Sequence, residues 1–493
     1  MNYRLTALIL LAACRSQPAL AAEAAPPERP NVLFIMSDDH CAQAVSAYGG
    51  SLAQIAPTPN LDRLAEEGML FRNCFVTNSI CTPSRAVLFT GKYSHRNGVY
   101  KFTPLDQSQP TLPKLIRQAG YRTGFVGKWH LHSNPVGLDT WSILPGQGRY
   151  IDPQFVEMGD EHADGRVQRG KRTTYEGHST DVVTDKTLAY LDNVGPKDGP
   201  FVLFCHFKAT HDQFIYAPRY KELFANVTIP EPDNLFDDFA TRSDALAKTT
   251  QYIGHPLNGM DFKRETGHIQ DKTLRKKAQY QEYLKRYLRC VRGIDDNVGR
   301  ILERLDRSGL AKNTIVVYTS DQGFFLGEHG LYDKRFMYEE SLRIPLLVRW
   351  PGRVAPESVN RDIVLNVDFA PTILDAAGAR PPRDVQGRSL LPLLQGDTPT
   401  DWRTSMYYRY YSSHFNTEPH WGVRTKTHKL IHFHRTGQWE LYDLTKDPQE
   451  MNNVYADAAY AKTVAQLKAE LNRLQTELGD DPADVGDEPR TGF

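Results

Sequence analysis

The 493-residue chain has no excess of charge of either sign: 59 Lys plus Arg are matched by 59 Asp plus Glu. That balance excludes the global positive footprint of a nucleic-acid-binding protein, so an anionic ligand must be met by local charge. Past the N-terminus, no run reaches the roughly 20 apolar residues that span a bilayer. Cysteine is scarce, six in all, and the spacing matches no zinc pattern. Cys41, Cys74, Cys205 and Cys290 allow three pairings among themselves, or none if they are buried thiols. There is no internal repeat and no low-complexity tract.

What is present begins with an export signal. Arg4 precedes the stretch Leu5–Ala13, apolar apart from Thr6, which is too short for a transmembrane helix. "ALA" at Ala19–Ala21 fits a cleavage site, and "LAAC" at Leu11–Cys14 resembles a lipoprotein box. The expected location is the periplasm, or the outer membrane as a lipoprotein if Cys14 is lipidated. Residues 1–22 are assigned to the signal, 23–400 to a catalytic domain and 401–493 to a C-terminal subdomain. Ala21–Pro30 reads as a linker.

Continuous apolar runs start at Asn31, Arg122, Phe201, Thr314 and Ile344, as expected of strands covered on both faces. Helical patterns lie between them, at Pro59–Gly68, at Leu112–Gly120 and from about Leu274 to Leu310. In the last, apolar residues from Tyr280 to Leu305 alternate spacings of four and three, and Gly309 suits a C-cap. This alternation predicts an α/β fold with a mainly parallel central sheet flanked by helices. From about Trp402 the pattern predicts a small antiparallel sheet and one helix near Tyr460–Leu478. Phe224–Gln270 is polar and proline-rich, and reads as an insertion near the active site.

Each buried-looking strand ends in a polar cluster: Ser37–His40, Lys128–His130, Thr210–His211 and Ser320–Gly323. Ligands of open parallel sheets bind outside the carboxyl ends of the strands. Asp38, Asp39, Asp321 and Gln322 offer oxygen donors only, and carboxylates crowded together need a cation. Calcium fits such donors best, with magnesium as second choice. Helix capping is the plain alternative for either Asp site alone. Arg85, Lys128, His130, His211 and Lys334 form a cationic set suited to a tetrahedral oxyanion ester. A surface salt bridge is the plain alternative for each.

Cys81 stands before "TPSRAVLFTG", which predicts a short helix ending at Gly91 with Cys81 at its N-terminus. A thiolate would be favoured there. Soft sulfur is nevertheless a poor match for a hard cation, and an oxygen nucleophile would suit the metal better.

"CTPSRAVLFTG" resembles the signature of type I sulfatases, with its Cys-x-Pro-x-Arg core, and "GKWH", the early "DD", "SDQG" and "LYDK" resemble the other family motifs in order. The resemblance implies an alkaline-phosphatase-like fold. It implies that a maturation enzyme oxidises Cys81 to formylglycine, whose hydrate attacks sulfur and later releases sulfate. It assigns Asp38, Asp39, Asp321, Gln322 and the modified Cys81 to one calcium ion. Arg85 and Lys128 would orient the diol, His130 would take a proton, and His211 and Lys334 would bind sulfate and assist the leaving alcohol. Gln322 stands where many members carry Asn, and Thr210 where Pro is common. The stretches at Gly327–Gly352 and Trp421–Tyr455 are closest to the N-acetylglucosamine-6-sulfatase branch. Removal of a 6-O-sulfate from a sulfated sugar of a glycosaminoglycan or related glycan is therefore expected. Asp333, Arg335 and His420 are candidates for gripping the sugar. The alternatives are a phosphomonoesterase or phosphonate hydrolase of the same superfold, and a non-catalytic sulfated-glycan binding protein.

Overall fold

The computed structural model of the protein describes residues 29–159, 170–195 and 198–482. The export signal, its two candidate processing sites and Cys14 lie outside these residues. Among them, no helix is long and apolar enough to cross a membrane.

The strand Asn31–Ser37 is buried along its whole length. Its side chains alternate between two layers, as the pleat requires. Leu33 and Ile35 enter one core, beneath the long helix Lys272–Ser308. Val32, Phe34 and Met36 enter another, with Ala86 and Phe89 of the helix Cys81–Thr90. A strand with both faces covered gains nothing from polar residues, hence the unbroken apolar run.

This strand is the middle of a ten-stranded sheet. Thr314–Ser320 pairs with it in parallel on one side and Phe201–His206 on the other. Arg122–Lys128 and Thr140–Leu144 continue the parallel centre. Leu346–Arg349 runs antiparallel to Thr314–Ser320, and antiparallel pairs also form the far edge. The expectation of a mainly parallel sheet therefore holds at the centre, where both faces are covered, and gives way towards the edges.

Lys272–Ser308 is one helix of 37 residues, started by Asp271, whose side chain accepts from Leu274 N–H, and ended by Gly309 at φ 75°. Its core face reaches the loops at the strand ends. Tyr287 donates its hydroxyl to Asp39 O at 2.7 Å, and Tyr283 to Phe325 O at 2.6 Å. The helix Pro59–Glu66 is capped from outside its own chain segment: Asp295 Oδ1 accepts from the N–H groups of Asn60 and Leu61 at 3.0 and 2.9 Å.

The tail forms a four-stranded antiparallel sheet, Ser405–Tyr410, His420–Thr425, His428–Phe433 and Gln438–Asp443, with the helix Ala461–Leu478. Val423, Leu430 and Leu441 share a core with Leu467 and Leu471 of that helix, with Phe336 to Tyr338, and with Ile80 and Val87 beside Cys81. The small sheet thus supports two segments of the site from behind. Cys41, Cys74, Cys81, Cys205 and Cys290 are all buried free thiols.

Candidate active site

The helix Cys81–Thr90 begins at Cys81 and ends at Gly91, which takes the left-handed conformation at φ 65°. Every residue of it is buried. Burial pushes the Cys81 thiol up to about 11, although Lys128 and Lys334 pull the other way. The unmodified side chain is therefore a neutral thiol at physiological pH, and the thiolate that a helix start would favour does not form.

Asp38 and Asp39 follow the central strand directly, and Asp321 and Gln322 follow its parallel neighbour. The two strand ends are stitched together: Asp321 N–H donates to Ser37 O at 3.2 Å, and Asp39 N–H to Asp321 Oδ1 at 3.1 Å. Asp39 reaches this position at φ 63°. Oxygens of Asp38, Asp39 and Asp321 all lie within 4.8 Å of one another. Burial and then Asp38 raise the Asp321 carboxyl to about 7. Asp38 goes the other way: burial would raise it, but Lys128, His211 and Arg85 together hold it well below the usual range. Two buried oxygens, Asp38 Oδ1 and Gln322 Oε1, accept no hydrogen bond. Orphaned buried acceptors of this kind are rare. Oxygen-only donors with spare lone pairs fit a hard divalent cation such as calcium.

Cations surround this acidic knot. Arg85 donates from Nε to Asp321 Oδ2 at 2.9 Å and from Nη1 to Lys128 O. Lys128 pairs with Asp38 and donates to Gln147 Oε1 at 2.6 Å. Lys334 pairs with Asp39, 2.6 Å from Oδ2, and lies 3.6 Å from Asp333. His130 packs beside Thr82, whose hydroxyl donates to His130 O at 2.9 Å. Burial, aided by Lys128, holds its pKa well below that of free imidazole. His211 is turned towards the Asp212 carboxylate by Nδ1. The structure thus gathers Cys81, Arg85, Lys128, His130, His211 and Lys334 around one point, from the start of one helix, two strand ends and a turn.

A cavity of about 300 Å³ opens onto Cys81. Its walls include His211, Lys334, Asp333 and Arg335. Asp333 and Arg335 both lie in the left-handed region, at φ 74° and 91°, where a non-glycine residue stays only if its surroundings hold it. Arg335 is held by Asp333 Oδ2 at 2.5 Å, Gln251 Oε1 at 2.7 Å and the Phe415 ring, 4.4 Å from the guanidinium carbon. Gln251 belongs to the polar segment expected near the site, and Asn258 of that segment also lines the cavity.

His420 is placed differently from the sequence expectation. It is fully buried behind the cavity wall. Its Nε2 accepts from Met337 N–H at 3.1 Å, and its Nδ1 donates to Glu418 O at 2.8 Å. It is stacked on Phe336 and Tyr408. Both nitrogens are committed, so it props the turn that carries Lys334 and Arg335 and does not face a ligand. The histidine of the C-terminal segment that lines the cavity, together with His211, is His414. Phe102, Gln147, Lys208, Asp212 and Phe415 also line it and were not singled out from sequence. Lys208 and Asp212 flank His211 in one strand-end segment, which is a signal that was available. The others sit on separate loops with no pattern to mark them.

A family model described as Sulfatase matches residues 30–379, and one described as N-sulphoglucosamine sulphohydrolase, C-terminal, matches residues 327–477. An N-acetylglucosamine-6-O-sulfatase of Bacteroides thetaiotaomicron is 43% identical to the chain, over 93% of it and 88% of that protein. A solved structure of a protein in complex with its substrate D-glucosamine-2-N,6-O-disulfate superposes with a TM-score of 0.86 at 41% identity, covering 93% of this chain and 100% of the other. A phosphonate monoester hydrolase from Silicibacter pomeroyi superposes with a TM-score of 0.72 at 22% identity, over 92% of this chain and 97% of the other, a likeness of fold alone.

Proposed function

The chain belongs to the sulfatase family and has its alkaline-phosphatase-like fold, and from that premise we propose that it removes the 6-O-sulfate of N-acetylglucosamine or a closely related glucosamine in a glycosaminoglycan. The observation that carries this reading is the cavity over Cys81, which His211 and Lys334 line together with the Asp333–Arg335 clasp. Its volume is at the small end for ligand sites, which suits a single terminal sugar. The relative from Bacteroides thetaiotaomicron, named for this activity, supports the choice of sugar.

Conversion of Cys81 to formylglycine by a maturation enzyme supplies an aldehyde whose hydrate offers an oxygen nucleophile to sulfur. Asp38, Asp39, Asp321 and Gln322, with the modified residue 81, would hold a calcium ion, which would supply positive charge for the sulfate group. The protein's own residues do the rest. Arg85 and Lys128 fix the first turn of the helix against the acidic knot. His130, kept neutral by burial, is able to accept a proton beside residue 81. Lys334, clasped by Asp39 and Asp333, stays charged and faces the sulfate. His211, with Nδ1 directed at Asp212, holds the proton that the leaving alcohol receives from Nε2. Arg335 and Asp333 form a donor and acceptor pair for sugar hydroxyls.

The test is turnover on N-acetylglucosamine bearing sulfate at the 6-, 4- or 3-position, with the matching 6-phosphate as a fourth substrate. Sulfate release from the 6-sulfate alone is expected. Hydrolysis of the phosphate in its place would turn the reading to the phosphoesterase alternative. Turnover of another sulfate position without the 6-position would defeat the choice of sugar position.

A further inference from the structure

Every cation described around the acidic knot has an anionic or hydrogen-bonding partner, with one exception. Arg85 is paired with Asp321, Lys128 with Asp38, Lys334 with Asp39 and Arg335 with Asp333. Lys208 lies two residues past the end of the strand Phe201–His206 and lines the same cavity as Cys81 and His211. It is 5% exposed. Its ammonium makes no hydrogen bond or ion pair with any described residue and rests 4.6 Å above the Tyr150 ring. That ring is fixed in turn, since Tyr150 donates its hydroxyl to His211 O at 2.6 Å.

A cation over a tyrosine recovers only part of what burying an ammonium without a hydrogen-bonded counter-charge costs. The deficit shows in the side chain itself: burial, and then the like charge of Lys128, bring its pKa down to about 8 against the opposing pull of Asp38, Asp212 and Asp39. Those neighbours also show what the ammonium stands beside. They belong to the acidic knot and the His211 segment, not to the Asp333–Arg335 clasp.

We propose that Lys208 is a further sulfate-binding residue: its ammonium, held on the Tyr150 ring beside the His211 segment, donates a hydrogen bond to a non-bridging oxygen of the sulfate group over residue 81. The structure then explains why this lysine lacks a partner, because its partner is the substrate. Lys128 and Lys334 are tied to aspartates of the knot, whereas Lys208 has its whole charge to give to the ester and to the sulfate released from it. The inference rests on the sulfatase reading and is independent of which sugar carries the ester.

The experiment measures binding of inorganic sulfate to the mature, calcium-loaded protein by calorimetry, for wild type, Lys208→Met and Lys208→Arg. A charge-assisted hydrogen bond predicts at least about ten-fold weaker sulfate binding in Lys208→Met. Lys208→Arg, which keeps the charge, is expected to stay within about five-fold of wild type on the same scale. The sulfate-free thermal midpoint of Lys208→Met should equal or exceed that of wild type, because an unpaired buried charge has been removed. Sulfate affinity within two-fold of wild type in a folded Lys208→Met protein would overturn the proposal. So would an equal loss of affinity for uncharged N-acetylglucosamine, which would show general damage to the cavity. Lys208-dependent sulfate binding in a protein that leaves 6-sulfated glucosamine untouched would sustain this inference and defeat only the choice of sugar.

Discussion

Lys334 and Asp39, 295 positions apart in the chain, meet as one ion pair with Nζ 2.6 Å from Oδ2. The pair closes the acidic knot from the cavity side, as Lys128 closes it at Asp38 and Arg85 at Asp321. Three carboxylates are matched by three cations, yet Asp38 Oδ1 and Gln322 Oε1 remain without hydrogen bonds. A hard ion entering here would take up those oxygens and loosen the grip of the lysines.

Calcium should therefore raise stability. At a free concentration 100 times its dissociation constant, the gain is about 2.7 kcal/mol. Thermal unfolding with and without a chelator measures it. Asp321→Ala should abolish the calcium-dependent shift and the bound metal together, and calcium content equal to that of wild type would show Asp321 to be no ligand.

Cys81→Ala should lower kcat by roughly 10³-fold or more, since a nucleophile is removed outright. The fold should survive, with unfolding midpoints close to wild type. In a host that supplies the maturation enzyme, the wild-type peptide containing residue 81 should be about 18 Da lighter than its unmodified form. An unshifted mass together with full activity would end the formylglycine assignment.

Gly127 precedes Lys128 at φ 106°, and a Cβ there would sit 1.9 Å from His206 O on the neighbouring strand. Gly127→Ala must push two central strands apart or change the local backbone. A loss of about 3 kcal/mol or more in urea unfolding is expected, with loss of activity because Lys128 moves as well. Wild-type stability would show that the two strands yield at this position without cost.

Asp295 supplies a pH test of the scaffold. Burial raises its carboxyl to about 6, against the hydrogen bonds from Leu61 and Asn60. The folded state thus binds this proton more tightly than the unfolded chain, whose Asp titrates near 3.9. Stability from this group is complete below about pH 4 and falls as pH rises towards 6; above that the cost stays constant, at about 3 kcal/mol. Asp295→Asn keeps an acceptor for the two helix N–H groups and carries no charge. Its stability relative to wild type should rise by up to that amount between pH 4 and 7, read from urea midpoints. A pH-independent difference would show that Asp295 titrates normally.

The sequence by itself determined the elements and which polar residues the strand ends deliver to one edge. The both-faces-covered strands, the helix begun by Cys81 and ended by Gly91, the long helix stopped at Gly309 and the small tail sheet are all written in local periodicity and caps. So are Asp38, Asp39, Asp321, Lys128 and His211, because a strand in a parallel sheet delivers whatever follows it to the same edge. Only the tertiary structure decided where side chains point once packed. It turned His420 inward, brought His414 and Phe102 into the cavity, made Asp295 the cap of a helix 235 positions earlier, and left Lys208 without a counter-charge. Direction and pairing depend on neighbours from remote segments, and hydrophobic pattern carries no record of which segments those will be.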